Sequence, residues 1–482
     1  MAAGNGDTGV MGRRTKIVAT IGPSTRSAET LLALIEAGVD VVRLNFAHGN
    51  EAEHAETVSL VREASRKAGV EIGVLGDIPG PKLRLDEVDG GVVELETGTE
   101  VSLTSEEVLG TPERLSVSWP GLAEAVTQGD AVYLADGRIR LRVREISDGE
   151  VRCEAEVGGS VASHQGLNLP GADTRLPSIT EEDIRWVDFA VSHDIDLLAV
   201  SFVRTRGDLE PVEQRLQEHG SDIPLIAKIE KPQAADNAEE IVRAALSGIM
   251  VARGDLGIEV PIAAVPVLQK RLIALAGRHS KPTVTATQML ASMVTSNRPT
   301  RAEVTDVANA IFDGTDAVML SEETAVGEHP VEAVRVMDQI ACETEPNLPY
   351  GAWLFERVAT DRDDIAGSVA RAAVGSTYSL GLAALVVPTN SGRTARLVSA
   401  HRPRVPVLAV SPRIETVRRL NLLFGVRCVQ SPNREEFREL LDDCARLARE
   451  HGVASSGDLI GVTAGLPDQG LGTNLFEIHR VP

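Results

Sequence analysis

After a glycine-rich stretch at 1–12 with no periodicity, read as a flexible tail, the chain alternates short apolar runs with amphipathic segments. β-branched runs at 16–21, 39–45 and 72–77 predict strands. Apolar positions three and four apart predict helices at 27–37, closed by Gly38, and at 54–67, closed by Gly69. Strand–helix–strand order predicts parallel β/α units. Between 86 and 171 the pattern changes to short alternating runs separated by Asp89-Gly90, Gly129-Asp130, Asp136-Gly137 and Asp148-Gly149. Those dipeptides predict hairpins and an inserted all-β domain. The alternation then resumes, with strands expected at 197–202, 225–229, 249–252, 283–286 and 317–320.

Three strands before the insertion and five after it predict a closed (β/α)8 barrel with the insertion after strand 3. Beyond 347, buried runs at 383–388, 407–410 and 459–463 predict an open α/β domain. The predicted organisation is a tail at 1–12, a barrel at 13–85 and 172–346, a β-barrel lid at 86–171 and a C-terminal α/β domain at 347–482.

Composition changes this picture in two ways. With 48 Lys plus Arg against 70 Asp plus Glu, the formal charge of −22 makes nucleic acid a poor partner. An anionic ligand must then be held by local basic groups, backbone amides or metal ions. The cysteines Cys153, Cys342, Cys428 and Cys444 share no CxxC or metal-finger spacing and read as thiols of a reducing compartment. No basic-then-apolar leader is visible at the start, and the uncharged stretch 372–392 contains Gly375, Gly381 and Pro388, so no membrane span is expected and the location is expected to be cytoplasmic.

In such barrels the chemistry sits at the C-terminal ends of the strands. There the sequence places Arg43, Asn45 and His48, then Asp77, Lys82 and Arg84, then Lys228 and Glu230, then Gly254 and Asp255, then Thr287, and last Ser321 and Glu323. Lys228 and Glu230 share one strand face because side chains alternate. Glu230 and Asp255, on strands expected to be neighbours, suit a magnesium ion that otherwise keeps water and phosphate ligands. Lysine, arginine and magnesium around one spot is what phosphoryl transfer needs, since its transition state spreads negative charge over equatorial oxygens. Arg301 and Glu303 read as a helix start. No GxGxxG or GxxxxGK[ST] is present, so Rossmann and P-loop readings lack their signatures. In the last domain, Thr389, Asn390, Ser391, Gly392, Arg393 and Thr394 lie between a strand and a helix, where amides, hydroxyls and a guanidinium would hold a phosphate.

These segments together resemble the pyruvate kinase family over nearly the whole chain. The carrying motifs are Thr15-Lys-Ile-Val-Ala-Thr-Ile-Gly-Pro, Val42-Arg-Leu-Asn-Phe-Ala-His-Gly, Lys228-Ile-Glu, Val251-Ala-Arg-Gly-Asp-Leu-Gly, Ala286-Thr-Gln-Met-Leu and Arg298-Pro-Thr-Arg-Ala-Glu-Val. The resemblance implies transfer of phosphoryl from phosphoenolpyruvate to ADP, giving pyruvate and ATP in the last step of glycolysis. It implies that Glu230 and Asp255 hold magnesium or manganese, and that Lys228 and Arg43 neutralise the phosphoryl group in flight. Amides near Gly254 and Asp255 would bind the substrate carboxylate. Thr287 would stand beside the carbon that is protonated, with Ser321 and Glu323 in the same relay. Asn45, His48, Arg84 and, from the lid, Asp136 would meet the nucleotide. The loop from Thr389 to Thr394 matches where many members bind an effector phosphate, and members are usually homotetramers.

The departures are informative. Many members hold potassium with an Asn, a Ser hydroxyl, an Asp and the next backbone carbonyl. The matching positions here are Asn45, Ala47, Asp77 and Ile78, so the hydroxyl is missing. Lys82 stands where potassium-dependent members have Glu, and its ammonium can supply the charge that potassium gives elsewhere. Potassium independence is therefore expected. Glu322 replaces a common Gly, and His164-Gln165 replaces a common pair of lysines. Two other classes compete: a magnesium-dependent lyase or aldolase, which would not need the lid and third domain, and a silent sensor, which would not need Lys228, Glu230, Asp255, Arg43 and Thr287 together.

Overall fold

A computed structural model of the chain describes residues 12–135, 137–170, 177–244, 247–359, 364–434, 436–465 and 472–482. Eight parallel strands close into a barrel: β1 (Lys16–Thr20), β2 (Val41–Asn45), β3 (Gly73–Ile78), β4 (Leu197–Val200), β5 (Leu225–Ile229), β6 (Gly248–Ala252), β7 (Thr283–Ala286) and β8 (Ala317–Leu320). Each pairs with its neighbours in sequence, and β8 returns to β1 with Lys16 opposite Ala317. The strands are buried on both faces, which is why they read as continuous apolar runs. Inside the ring Val18, Val41, Leu75, Ile226, Met250 and Val284 form one cluster, distinct from the cluster between strands and helices.

Helix ends follow local chemistry. Ser27 and Asn50 cap Ala28–Glu36 and Glu51–Ala68 by accepting backbone N–H bonds. Gly69 ends the second of these at φ 69°, a left-handed conformation that glycine takes without a Cβ clash. Thr300 and Glu303 form a reciprocal capping box on Arg301–Asp313, so the helix start expected there is a structural device. Strand β4 ends two residues before the expected limit of 202, because Phe202 turns to φ 54° and points its N–H at Glu230.

Among the described residues the insertion after β3 is all-β apart from short helical turns at Asp89–Gly91 and Leu122–Ala125. Its strands form a six-stranded sheet and a two-stranded ladder, Val92–Leu95 with Gly159–Ala162, around one shared core. Residues 84 and 85 link the two edges of the six-stranded sheet, Leu85 bridging Val117 beside Arg114–Ser116 and Arg84 bridging Gly166 beside Leu167–Asn168. The expected hairpins are present: Ala131–Leu134 pairs antiparallel with Ile139–Ser147, which pairs in turn with Glu150–Val157 across Asp148 and Gly149, both at positive φ.

The last sheet contains β9 (Ala384–Pro388), β10 (Val407–Ser411), β11 (Val426–Gln430), β12 (Leu459–Ala464) and β13 (Leu475–Arg480), in the order β11-β10-β9-β12-β13 with β13 antiparallel. This domain caps the end of the barrel where the strands begin. Arg418 and Asn421 bind Glu71, just before β3, and Arg402 binds Asp316, just before β8. Leu422 packs into the cluster inside the barrel ring. The opposite end, where the strands finish, is left for chemistry. Among the described residues no helix is long and apolar enough to cross a membrane.

Candidate active site at the barrel strand ends

Lys228 points inward from β5, and its Nζ is the centre of the site. It lies 3.0 Å from Asp77 Oδ1, 2.9 Å from Glu230 Oε1 and 2.7 Å from Ser201 Oγ. On the far side of Asp77, Arg43 Nε donates to Oδ2 at 2.7 Å while its Nη1 donates to Thr20 Oγ1 at 3.1 Å. All of these charged groups are buried. Burial alone would raise the Asp77 pKa, but Arg43 and Lys228 outweigh it and hold the carboxyl below the usual range. Burial would lower Lys228, and Asp77 and Glu230 reverse that, so its ammonium stays charged. Two cations thus meet around one buried carboxylate.

Glu230 is balanced differently. Burial and the nearby Asp255 charge raise its pKa, against the pull of Lys228. Its Oε2 accepts the Phe202 N–H at 2.9 Å, but Oε1, although close to Lys228, is buried without an aligned hydrogen bond. Asp255 reaches the same place from Arg253–Glu259, the helix that follows β6, and β6 pairs with β5. Two mutually repelling carboxylates, one with an unsatisfied buried oxygen, fit a divalent cation. Among the described residues no cluster of three or more His, Cys, Asp or Glu is placed for a metal. A magnesium ion held by two carboxylates keeps several water or substrate oxygens.

Thr287, just past β7, has φ 70°, and Gln288 has φ 53°. A β-branched residue there is strained. Surrounding bonds hold it: Thr287 Oγ1 accepts the Gly254 N–H at 2.7 Å and donates to Ala286 O at 2.6 Å, while Arg253 Nη2 donates to Thr287 O at 2.8 Å. The Gly254 amide, expected to face a substrate carboxylate, is therefore already bonded to Thr287 Oγ1. Glu323 is likewise engaged by backbone, accepting from Leu290 N–H at 3.1 Å and Ser321 N–H at 2.6 Å. The Ser321 hydroxyl is buried without a partner among the described residues.

His48 lies at the mouth. Burial and then Arg84, Lys82 and Arg43 push its pKa down, so three cations share its surroundings and its ring is neutral at pH 7. Its carbonyl accepts from His54 Nε2 at 2.8 Å, and Asn45 Oδ1 accepts the Ala47 N–H at 3.3 Å. Arg84 Nη1 donates to His164 O at 3.1 Å, on the insertion. Lys82 lies against Gly166: a Cβ there would stand 2.7 Å from Lys82 Cε, so the glycine makes room for the lysine stem. Ile78 closes β3 fully buried. Asp136 lies outside the described residues.

The loop from Thr389 to Thr394 follows β9, the central strand from which the sheet order runs both ways, and such switch points are where α/β sheets bind ligands. Gly392, at φ 81° and packed on Leu420, donates its N–H to Thr389 Oγ1 at 3.0 Å. Asn390 O accepts from Thr416 Oγ1 at 2.8 Å, Thr394 pairs with the Thr473 hydroxyl, and Arg393 Nη2 reaches Asp364 Oδ1 at 3.4 Å. Ser391 is exposed.

Sequence reading missed Ser201, which bridges Lys228 and Asp77, donating to Asp77 Oδ1 at 3.4 Å. Its signal was the first polar position after the apolar run 197–200, obscured by carrying the strand through to 202.

Known proteins resemble this chain over nearly its whole length. Residues 12–334 match the family model for the pyruvate kinase barrel domain, and 367–479 match that for the pyruvate kinase alpha/beta domain. The chain is 42% identical over 475 residues to a pyruvate kinase of Geobacillus stearothermophilus, covering 98% of this chain and 81% of the relative. It is 41% identical over 472 residues to one of Bacillus licheniformis, covering 97% and 80%. A crystal structure of a pyruvate kinase from Cryptosporidium parvum superposes with a TM-score of 0.92 at 36% identity, covering 98% of this chain and 96% of the other.

Proposed function

Because this chain belongs to the pyruvate kinase family and is a phosphotransferase, we propose that it takes the phosphoryl group of phosphoenolpyruvate to ADP, giving pyruvate and ATP in the last step of glycolysis. The observation that carries the reading is the buried Lys228 ammonium held between Asp77, Glu230 and Ser201, with Arg43 across Asp77.

Arg43 and Lys228 receive the phosphate of phosphoenolpyruvate. The bond from phosphorus to the enol oxygen breaks as a terminal β-phosphate oxygen of ADP forms the new one, and Lys228 offsets charge on the equatorial oxygens. Magnesium or manganese, held by Glu230 and Asp255, supplies Lewis-acid charge stabilisation when bound. The amide of Asp255 orients the substrate carboxylate, and that of Gly254 joins it if Thr287 turns away. Asn45, His48 and Arg84 bind the nucleotide phosphates, with Asp136 contributing from the insertion at 86–171, which acts as a lid that excludes water. The enolate left behind takes a proton at its methylene carbon beside Thr287, with Ser321 in the relay and Glu323 fixing that turn. Thr287→Val keeps the shape but removes the hydroxyl, and strands the Gly254 N–H. It should lower kcat by about 10²-fold or more, read as steady-state pyruvate formation, with a smaller change in KM for ADP.

Potassium is not required in this reading, because the Lys82 ammonium brings fixed positive charge to the mouth. Lys82→Glu should convert the enzyme to one whose rate rises steeply with added potassium, measured against sodium at equal ionic strength. We further infer a cytoplasmic homotetramer whose 389–394 loop takes a phosphorylated effector. The direct test of the reaction is equimolar appearance of pyruvate and ATP from phosphoenolpyruvate and ADP, abolished by chelating divalent cations.

A further inference from the structure

His54 is a buried polar side chain that the phosphoryl transfer does not use. It stands in the first turn of Glu51–Ala68 and is 4% exposed. Its ring meets Phe46 edge-on at 5.1 Å between centroids and Trp186 edge-on at 5.4 Å, and those two rings stack on each other at 4.4 Å. Packing of this kind fixes the plane of a ring. The plane so fixed aims Nε2 at the His48 carbonyl, 2.8 Å away. A carbonyl only accepts, so the proton is on Nε2. Burial, with the Arg26 charge, holds the His54 pKa below its ordinary value despite this bond, so the ring is neutral at pH 7.

The carbonyl it holds belongs to the loop that carries the expected nucleotide contacts. Residues 46–49 leave β2 and enter the helix through the Asn50 cap. Within the loop, the His48 N–H donates to Asn45 O at 3.2 Å and the Ala47 N–H to Asn45 Oδ1 at 3.3 Å, both long bonds. The Phe46 N–H reaches Asp77 O at 3.1 Å and ties one end of the loop to β3. The other end turns at Gly49, φ 81°, where a Cβ would stand 3.4 Å from His54 Nε2. His54 thus meets the loop at both Phe46 and His48, and its hydrogen bond is shorter than the two the loop makes within itself. A loop held in its binding form before the ligand arrives loses less affinity to ordering.

We propose that His54 is a positioning residue for the nucleoside diphosphate: its Nε2–H holds the His48 carbonyl and sets the 45–49 loop in the form in which Asn45 and His48 meet the ligand. This rests on the reading of those two residues as nucleotide contacts. Being enclosed, His54 acts through the loop and not on the ligand. Arg43 is fixed separately by Asp77 and Thr20, while Lys228, Gly254 and Thr287 come from β5 and the segments after β6 and β7. Loosening the loop should therefore separate the two substrates.

The test is steady-state kinetics of the full chain with each substrate varied in turn. His54→Phe keeps a ring among the aromatics and removes the donor. It should raise KM for ADP roughly 3–10-fold, the range for one hydrogen bond, with kcat and KM for phosphoenolpyruvate within about twofold of wild type. His54→Gln, whose amide N–H reaches the same carbonyl, should keep KM for ADP within about twofold of wild type. An unchanged KM for ADP in His54→Phe, equal rises for both substrates, or equal defects in His54→Phe and His54→Gln would overturn the proposal. His48→Ala separates this failure from that of the underlying reading. A raised KM for ADP in His48→Ala with none in His54→Phe sinks the positioning role alone, and no rise in either sinks the nucleotide reading of the loop as well. Should His54→Phe fail to fold, His54→Asn, whose shorter amide stops short of the carbonyl, must show the same selective rise.

Discussion

Lys228→Met should abolish turnover, lowering kcat by about 10³-fold or more, because the only buried ammonium at the centre of the site disappears while the shape remains. Asp77 keeps Arg43, so the phosphate clamp survives in part, and substrate should still bind measurably. Glu230 Oε1 loses its 2.9 Å contact with the ammonium and has no hydrogen-bond partner among the described residues. Removing one member of a buried ion pair costs about 3–5 kcal/mol when nothing relaxes, so the unfolding midpoint must be measured beside the kinetics. The discriminating result is a collapse of kcat with phosphoenolpyruvate binding retained, at a temperature where the variant is folded. Retained kcat would mean that Lys228 only holds Asp77 in place.

Asp316→Asn should produce the largest loss of stability. Asp316 Oδ1 accepts from Arg402 Nη1 at 2.7 Å and Oδ2 from the Thr283 N–H at 3.0 Å, so one carboxylate ties the starts of β7 and β8 to the C-terminal domain. Arg402, at 0% exposure, also lies 4.4 Å over the Phe424 ring. The amide preserves the shape but leaves Arg402 and Arg357 without their carboxylate, a cost of about 3–5 kcal/mol. Urea unfolding should show it, and a change below about 1 kcal/mol would put the pair among weak surface bridges. The pH dependence has a definite sign. Burial raises the Asp316 pKa, but Arg402 outweighs it, so the folded value is below the unfolded one. The stabilisation is therefore complete above the ordinary carboxylate range and is lost as pH falls through the folded value. Asp316→Asn should flatten that acid limb.

Much of this was legible in the sequence, for physical reasons. Barrel strands buried on both faces leave uninterrupted apolar runs, and β5, β7 and β8 occupy the expected residues. Candidate site residues at strand ends are readable as candidates because such barrels place their chemistry there. What was not legible depended on tertiary contact. β11 and β13 were missed because they are half-exposed and interrupted by Arg427, Glu477 and His479, so no apolar run marks them. The bond from the Gly254 N–H to Thr287 Oγ1 joins residues on neighbouring strand ends, which no local pattern encodes. The Arg402–Asp316 pair spans 86 positions and reads, residue by residue, as two ordinary surface charges.

The most direct measurement is the initial rate of pyruvate formation from phosphoenolpyruvate and ADP with magnesium, in potassium-free buffer and again with potassium added. Phosphoryl transfer organised by Lys228, with Lys82 standing in for the monovalent cation, predicts full activity in the first buffer and no more than about a twofold gain in the second, a difference of under about 0.5 kcal/mol in barrier height. Activity only with potassium would contradict the role of Lys82. No pyruvate in either buffer would contradict the catalytic account itself.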